Sequence, residues 1–173
     1  MKFLQVLLLS ILLQNTLFAS NKEELLKGVI LERISQFISF DNSKDVFRIC
    51  VYKNHKMANS FKELFETRKY KDKPIEVLST SFVKKIDMCD VFYAEKLSKK
   101  DLQTLVNLKQ DHTLLVTEKI DNVKEGFMVA LYLKNNKINF AINQQALVDA
   151  KLKVNYRLLR VASRVINPVT RND

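Results

Sequence analysis

The chain has 173 residues, a formal net charge of +10, 47% hydrophobic residues and 28% charged residues, enough for one ordinary hydrophobic core. With only 2 Gly and 2 Pro, neither a Walker loop nor a GxGxxG turn can be written, which excludes nucleotide sites built on such loops. The lysines are scattered rather than gathered in a dense run, so the basic balance reads first as a solvated surface.

The N-terminus has the layout of a secretory signal. Met1-Lys2 supplies a positive charge, Phe3 to Leu13 is dominated by apolar residues, and Asn15 to Ala19 leads to Ser20. The apolar run is about half of the roughly 20 residues that a membrane-spanning helix needs. Residues 1–19 are therefore expected to be a signal peptide cleaved near Ala19, leaving residues 20–173 as one exported domain with a charge of +9. No cysteine follows the apolar run to carry a lipid anchor, and export argues against a nucleic-acid partner.

In chain order, Leu26, Ile30, Ile34, Phe37 and Ile38 fall at helical spacing and predict an opening helix within Asn21 to Phe40. Val46 to Tyr52 is β-branched and aromatic and predicts a first strand. Met57, Phe61, Leu64 and Phe65 give a helix, Lys69 to Pro74 a charged connection, and Ile75 to Leu78 a second strand. Ser81 to Met88 is ambiguous. Cys89 to Ala94 predicts a third strand, Ser98 and Asp101 have capping-box spacing before a helix, and Thr113 to Thr117 predicts a fourth strand. Thr117 to Gly126 reads as an acidic loop.

Phe127 to Leu133 and Lys137 to Ile142 then form a hairpin about Asn135-Asn136, since Asn tolerates positive φ. Asn143 and Asn155 are N-cap residue types, and the second opens a helix predicted to run from Tyr156 to Ile166. Alternating strands and helices build a parallel sheet through right-handed crossovers. The expected fold is a single α/β domain: a mostly parallel sheet flanked by helices, with an antiparallel C-terminal hairpin.

Cys50 and Cys89 are the only cysteines, an even count in a chain expected to be exported. Three readings stand: a structural disulfide, two reduced buried thiols, or a redox-responsive pair. Their spacing is far from CxxC, and two Cys with the distant His55 and His112 form no zinc pattern, so neither a metal nor a cofactor is expected. No Ser, His or Asp sits at a spacing that would activate a nucleophile, so the sequence offers no sign of an enzyme.

The order Thr117-Glu118, Glu125-Gly126, Met128-Val-x-Leu-x-Leu133, Asn136-Lys-Ile-x-Phe-x-Ile-Asn143 and Leu158-Leu-x-x-Ala162 resembles the YfiR/HmsC-like family. Phe47-Arg-Ile-Cys50-Val-Tyr52 and Met88-Cys-Asp-Val-Phe-Tyr93 are similar to strands of that family which carry a cysteine pair. The resemblance spans about Leu25 to Val165. It departs where a second cysteine pair is lacking, where Gly126-Phe127 replaces a double glycine, and where Asn54 stands after the first strand.

The resemblance implies a periplasmic repressor of an inner-membrane diguanylate cyclase, acting on that enzyme's periplasmic sensor region, with oxidation of Cys50 and Cys89 linked to folding and repression. Homodimerisation is compatible with this reading. The expected contact residues are Glu118, Glu125, Gly126 and Phe127, where an exposed aromatic could anchor an interface. One alternative is a periplasmic solute-sensing subunit acting on a sensor kinase. Its ligand would sit at the strand carboxyl ends near Lys53-Asn54, Glu95-Lys96 and Thr117-Glu118. A cationic protein that binds anionic lipid or polymer through charge is a third reading, marked by strong salt dependence.

Overall fold

The computed structural model describes residues 22–40, 43–108 and 111–166. The expected signal peptide lies outside them. Helix α1 (22–36) opens the described chain. Then come β1 (Ile38–Ser39), β2 (Phe47–Tyr52), α2 (His55–Phe65), β3 (Lys69–Tyr70) and β4 (Lys73–Thr80). A 3-10 segment (Val83–Met88) leads to β5 (Val91–Ala94), α3 (Lys99–Asn107), β6 (Leu114–Thr117) and α4 (Ile120–Lys124). The chain continues with β7 (Val129–Lys134), β8 (Lys137–Asn143), α5 (Gln144–Asp149), β9 (Lys153–Val154), α6 (Tyr156–Val161) and β10 (Arg164–Ile166).

The main sheet has eight strands in the order β10-β8-β7-β6-β5-β2-β4-β3. From β4 to β7 the pairing is parallel, as the βα alternation predicts. β5 and β6 are buried at every position, which is why they read as unbroken apolar runs rather than alternating ones. The β7–β8 hairpin turns at Asn135 (φ 52°) and Asn136 (φ 57°), both left-handed, so its twist matches that of the strands. Three anticipated caps form: the side chains of Ser98, Asn143 and Asn155 accept from the backbone N–H of Asp101, Ala146 and Arg157.

Cys50 in β2 and Cys89 just before β5 are disulfide-bonded, with Cα atoms 5.8 Å apart. The bond joins neighbouring parallel strands across 39 residues of chain. Elsewhere in the core Phe61, Phe65, Phe92, Tyr93 and Phe127 are fully buried, and the Phe61 and Tyr93 rings meet edge to face at 5.5 Å.

The structure corrects several expectations. The helix after Asn155 stops at Val161, and Arg164–Ile166 forms a strand parallel to β8 instead. Ser163 directs this switch: its N–H and its hydroxyl both donate to the Phe140 carbonyl, drawing β-branched Val165 and Ile166 onto an open sheet edge. The expected Thr117 to Gly126 loop contains a helical turn, Ile120–Lys124, with Val123 buried and Asn122 Nδ2 donating to Thr117 Oγ1 at 3.0 Å. Lys69 to Pro74 is a tight hairpin, β3 to β4, with Lys71 (φ 44°) and Asp72 (φ 70°) at its turn.

Helix α1 buries Ile34 and partly Ile30 as expected, but Leu26 and Phe37 of the expected face are exposed. Leu26 is 47% exposed, whereas Lys27 is only 5% exposed and Glu24, Gly28, Leu31 and Ile34 point inward. A Cβ on Gly28 would lie 2.4 Å from Leu64 Cδ2, so this glycine lets α1 approach α2 closely.

Gly126 has φ +118°, and a Cβ there would meet Val106 Cγ1 at 2.8 Å. Replacing Gly126 with Ala is expected to cost about 1–3 kcal/mol, read as a lower urea midpoint. Adding Val106→Ala should recover only the steric part. Replacing both cysteines with Ala should remove about 4 kcal/mol by loop-closure entropy, measured by urea unfolding of the oxidised protein and the double variant.

Candidate functional site

Three parallel strands end on one edge of the sheet: β2 at Tyr52, β5 at Ala94 and β6 at Thr117. β4 and β5 flank β2 on opposite sides, so the chain reverses its direction of winding there. Open α/β sheets bind ligands outside such a reversal. The sequence anticipated a site at this edge, and the structure brings Lys53, Asn54, Glu95 and Glu118 together around it.

Here the crevice is closed by the protein's own side chains. Asn54 Nδ2 donates to Glu95 Oε2 at 2.6 Å, while Asn54 Oδ1 accepts from Met57 N–H and caps α2. Tyr93 Oη donates to Glu118 Oε1 at 2.6 Å. From above, Lys27 of α1 lies 2.6 Å from Glu118 Oε2 and 2.7 Å from Glu23 Oε1. A second buried acid, Glu24, accepts from Ser60 Oγ at 2.8 Å and pairs with Lys56 at 3.0 Å.

The electrostatics keep this cluster fixed rather than reactive. Burial opposes the Lys27 charge, but the hydrogen bonds and charges of Glu118 and Glu23 outweigh it and hold the ammonium above its ordinary value. Burial and the Glu118 charge push the Tyr93 phenol well above its ordinary value, so it remains a neutral donor. The signal for the buried pair was present as Glu23 and Lys27 at i,i+4, but the leucines beside them drew the predicted inward face elsewhere.

The expected contact residues separate. Glu118 is committed to Lys27 and Tyr93. Glu125 is exposed beside the end of α4. Gly126 lines a cavity of about 540 Å³ with Leu105, Val106, Leu115 and Met128. Phe127 is fully buried at 0% exposure and belongs to the core, which corrects the expectation of an exposed aromatic there.

His55 Nδ1 lies 2.9 Å from Ser79 Oγ, a pairing the sequence did not reveal, but both are near solvent and no carboxylate among the described residues orients the imidazole. That leaves the pair short of an activated nucleophile. Among the described residues no group of His, Cys, Asp and Glu could hold a metal ion, and no helix is long and apolar enough to cross a membrane.

This is an open α/β domain whose strand ends carry an internal ion and hydrogen-bond cluster. The profile of the YfiR/HmsC-like family matches residues 25–163, and the chain belongs to that family, a family of periplasmic regulatory proteins. No curated protein matches.

Two solved structures share the fold. One is a conserved domain protein from Vibrio cholerae, with TM-score 0.55 and 12% identity over 80% of this chain and 60% of that one. The other is an ABC domain in complex with L-Trp from Streptococcus pneumoniae, with TM-score 0.51 and 11% identity over 72% of this chain and 56% of that one. The chain thus spans about six-tenths of each, and at these identities the likeness concerns the fold alone.

Because Tyr93 and Lys27 keep their protons in the folded protein to higher pH than in the unfolded chain, the linkage has a definite sign. Their contribution is intact below the ordinary values of 10.0 and 10.5 and is lost as pH rises above them. Tyr93→Phe is expected to lower stability by about 1 kcal/mol at neutral pH through the lost hydrogen bond. It should also flatten the alkaline fall, as read from urea midpoints across that range.

Proposed function

We propose that this protein is a periplasmic regulator that binds the periplasmic sensor region of an inner-membrane diguanylate cyclase and holds the cyclase inactive, lowering cyclic di-GMP. In this reading residues 1–19 are a cleaved signal peptide and residues 20–173 form the regulatory domain. The observation that carries it is the family match across residues 25–163. The sealed strand-end crevice supports it, since the polar groups there are spent on one another rather than aimed at a substrate. Repression requires the domain to bind the inactive cyclase conformer more tightly than the active one, because equal affinity would shift nothing. The disulfide would act by holding the folded surface that the partner reads.

A second reading, a solute-sensing subunit acting on a sensor kinase, draws on the cavity of about 540 Å³ between α3, α5 and the sheet. A saturable rise in melting temperature with a small apolar solute would favour it.

The deciding experiment is capture from detergent-solubilised inner membrane by the mature protein, oxidised and then reduced. Recovery of one cyclase with a periplasmic sensor region, weakened on reduction, is the expected result. Equal recovery in both states would make the disulfide purely structural, and recovery of no membrane signalling protein would overturn the regulatory reading.

A further inference from the structure

Beside the sealed crevice, the same sheet edge is open. Outside the carboxyl ends of β2 and β4 lies a groove of about 500 Å³, lined by Tyr52, Lys53, Phe82, Lys84, Lys85 and Asp101. With Ser81 and Val83 completing the lining, three of its eight side chains are cationic. The one carboxylate, Asp101, is engaged from inside the domain: it accepts from Tyr52 Oη at 3.0 Å and lies 3.4 Å from Lys53 Nζ. Lys84 and Lys85 are exposed, and neither is ion-paired with a described residue.

Phe82 stands at this groove with 67% of its surface exposed. Its backbone is nonetheless fixed on both sides. Its N–H donates to Thr80 Oγ1 at 3.2 Å, and its carbonyl accepts from the same hydroxyl at 3.3 Å. The next residue, Val83, packs against the core, and the far end of the 3-10 segment is tied to β2 through Cys89. An aromatic ring held toward water by an ordered backbone, beside unpaired cations, has the make-up of an interface anchor with a charged rim.

We propose that this groove docks an acidic peptide segment of the protein's partner. An apolar side chain of that segment would sit against Phe82 and Val83, and its carboxylates would meet Lys84 and Lys85. The occupant follows from charge complementarity, since Lys84 and Lys85 present two ammonium groups with no ion-pair partner among the described residues, while the groove's carboxylate, Asp101, is already engaged by Tyr52 and Lys53. The inference rests on the reading that this protein's output is a protein interaction, and it assigns the surface.

The test is selection from a phage-displayed random peptide library on the full mature protein, followed by binding of the selected peptides to variants. Enriched peptides should be acidic with at least one aromatic or aliphatic residue. K84E/K85E and F82A should each weaken them by about tenfold or more, and added salt should weaken them further. K134E/K137E on the hairpin should leave them unchanged. All three variants alter exposed side chains, and a urea midpoint close to that of the wild type confirms that each folds.

Failure to enrich any peptide, enrichment without acidic residues, or equal binding to K84E/K85E would overturn the groove. So would Lys84- and Lys85-dependent binding to vesicles of phosphatidylcholine and phosphatidylglycerol in place of peptides, which would assign the surface to lipid. Capture of the cyclase by K84E/K85E separates the two levels: undiminished capture with a failed selection removes the groove and leaves the regulator.

Discussion

The ammonium of Lys27, buried between Glu23 and Glu118, ties the first helix to the end of the central sheet. A desolvated charge is tolerated only when paired and hydrogen-bonded, so this contact fixes the rotation of α1 more stringently than apolar contacts could. Leucines slide against one another at little cost, whereas a turn of the helix in either direction would strand an ammonium in the interior. Glu118 in turn engages Tyr93, whose ring packs on Phe61 of α2. One ion cluster thereby orders α1, α2, β5 and the end of β6 together. It lies at the strand ends beside the point where the sheet reverses its winding.

The disulfide supplies the second long-range constraint. Parallel strands are joined by crossovers, so β2 and β5 meet only after a long stretch of chain has folded back. Cys50–Cys89 makes that meeting covalent and fixes the C-terminal end of the 3-10 segment. Thr80 fixes the other end through its bonds to Phe82. A segment with three lysine and phenylalanine side chains in solvent is therefore presented on a rigid frame, the condition under which exposed groups bind without a large ordering cost.

Much of the architecture was legible because its signals are short-range. Asn135-Asn136 announced the hairpin, and Ser98, Asn143 and Asn155 announced helix starts, since a cap closes its hydrogen bond within three residues. Two other readings went astray where remote partners decided. The apolar stripe of α1 held at Ile30 and Ile34 but failed at Leu26, where an ion pair to a residue 91 positions away turned Lys27 inward instead. Val165 and Ile166 fitted a helical face as well as a strand, and the unpaired edge of β8 settled which.

The sequence by itself determined the main βα alternation from β2 to β6, the C-terminal hairpin, the caps, and the resemblance that the family match later bore out. Only the tertiary structure decided that Cys50 and Cys89 are bonded, that Phe127 is core, and that Lys27 rather than Leu26 faces inward. It also placed Phe82, Lys84 and Lys85 around one groove with Lys53. The physical reason is the range of the forces. Backbone hydrogen bonds and turn preferences act over a few residues and are written locally. Burial of charge, disulfide reach and pairing at a sheet edge depend on which distant residues the crossovers bring together.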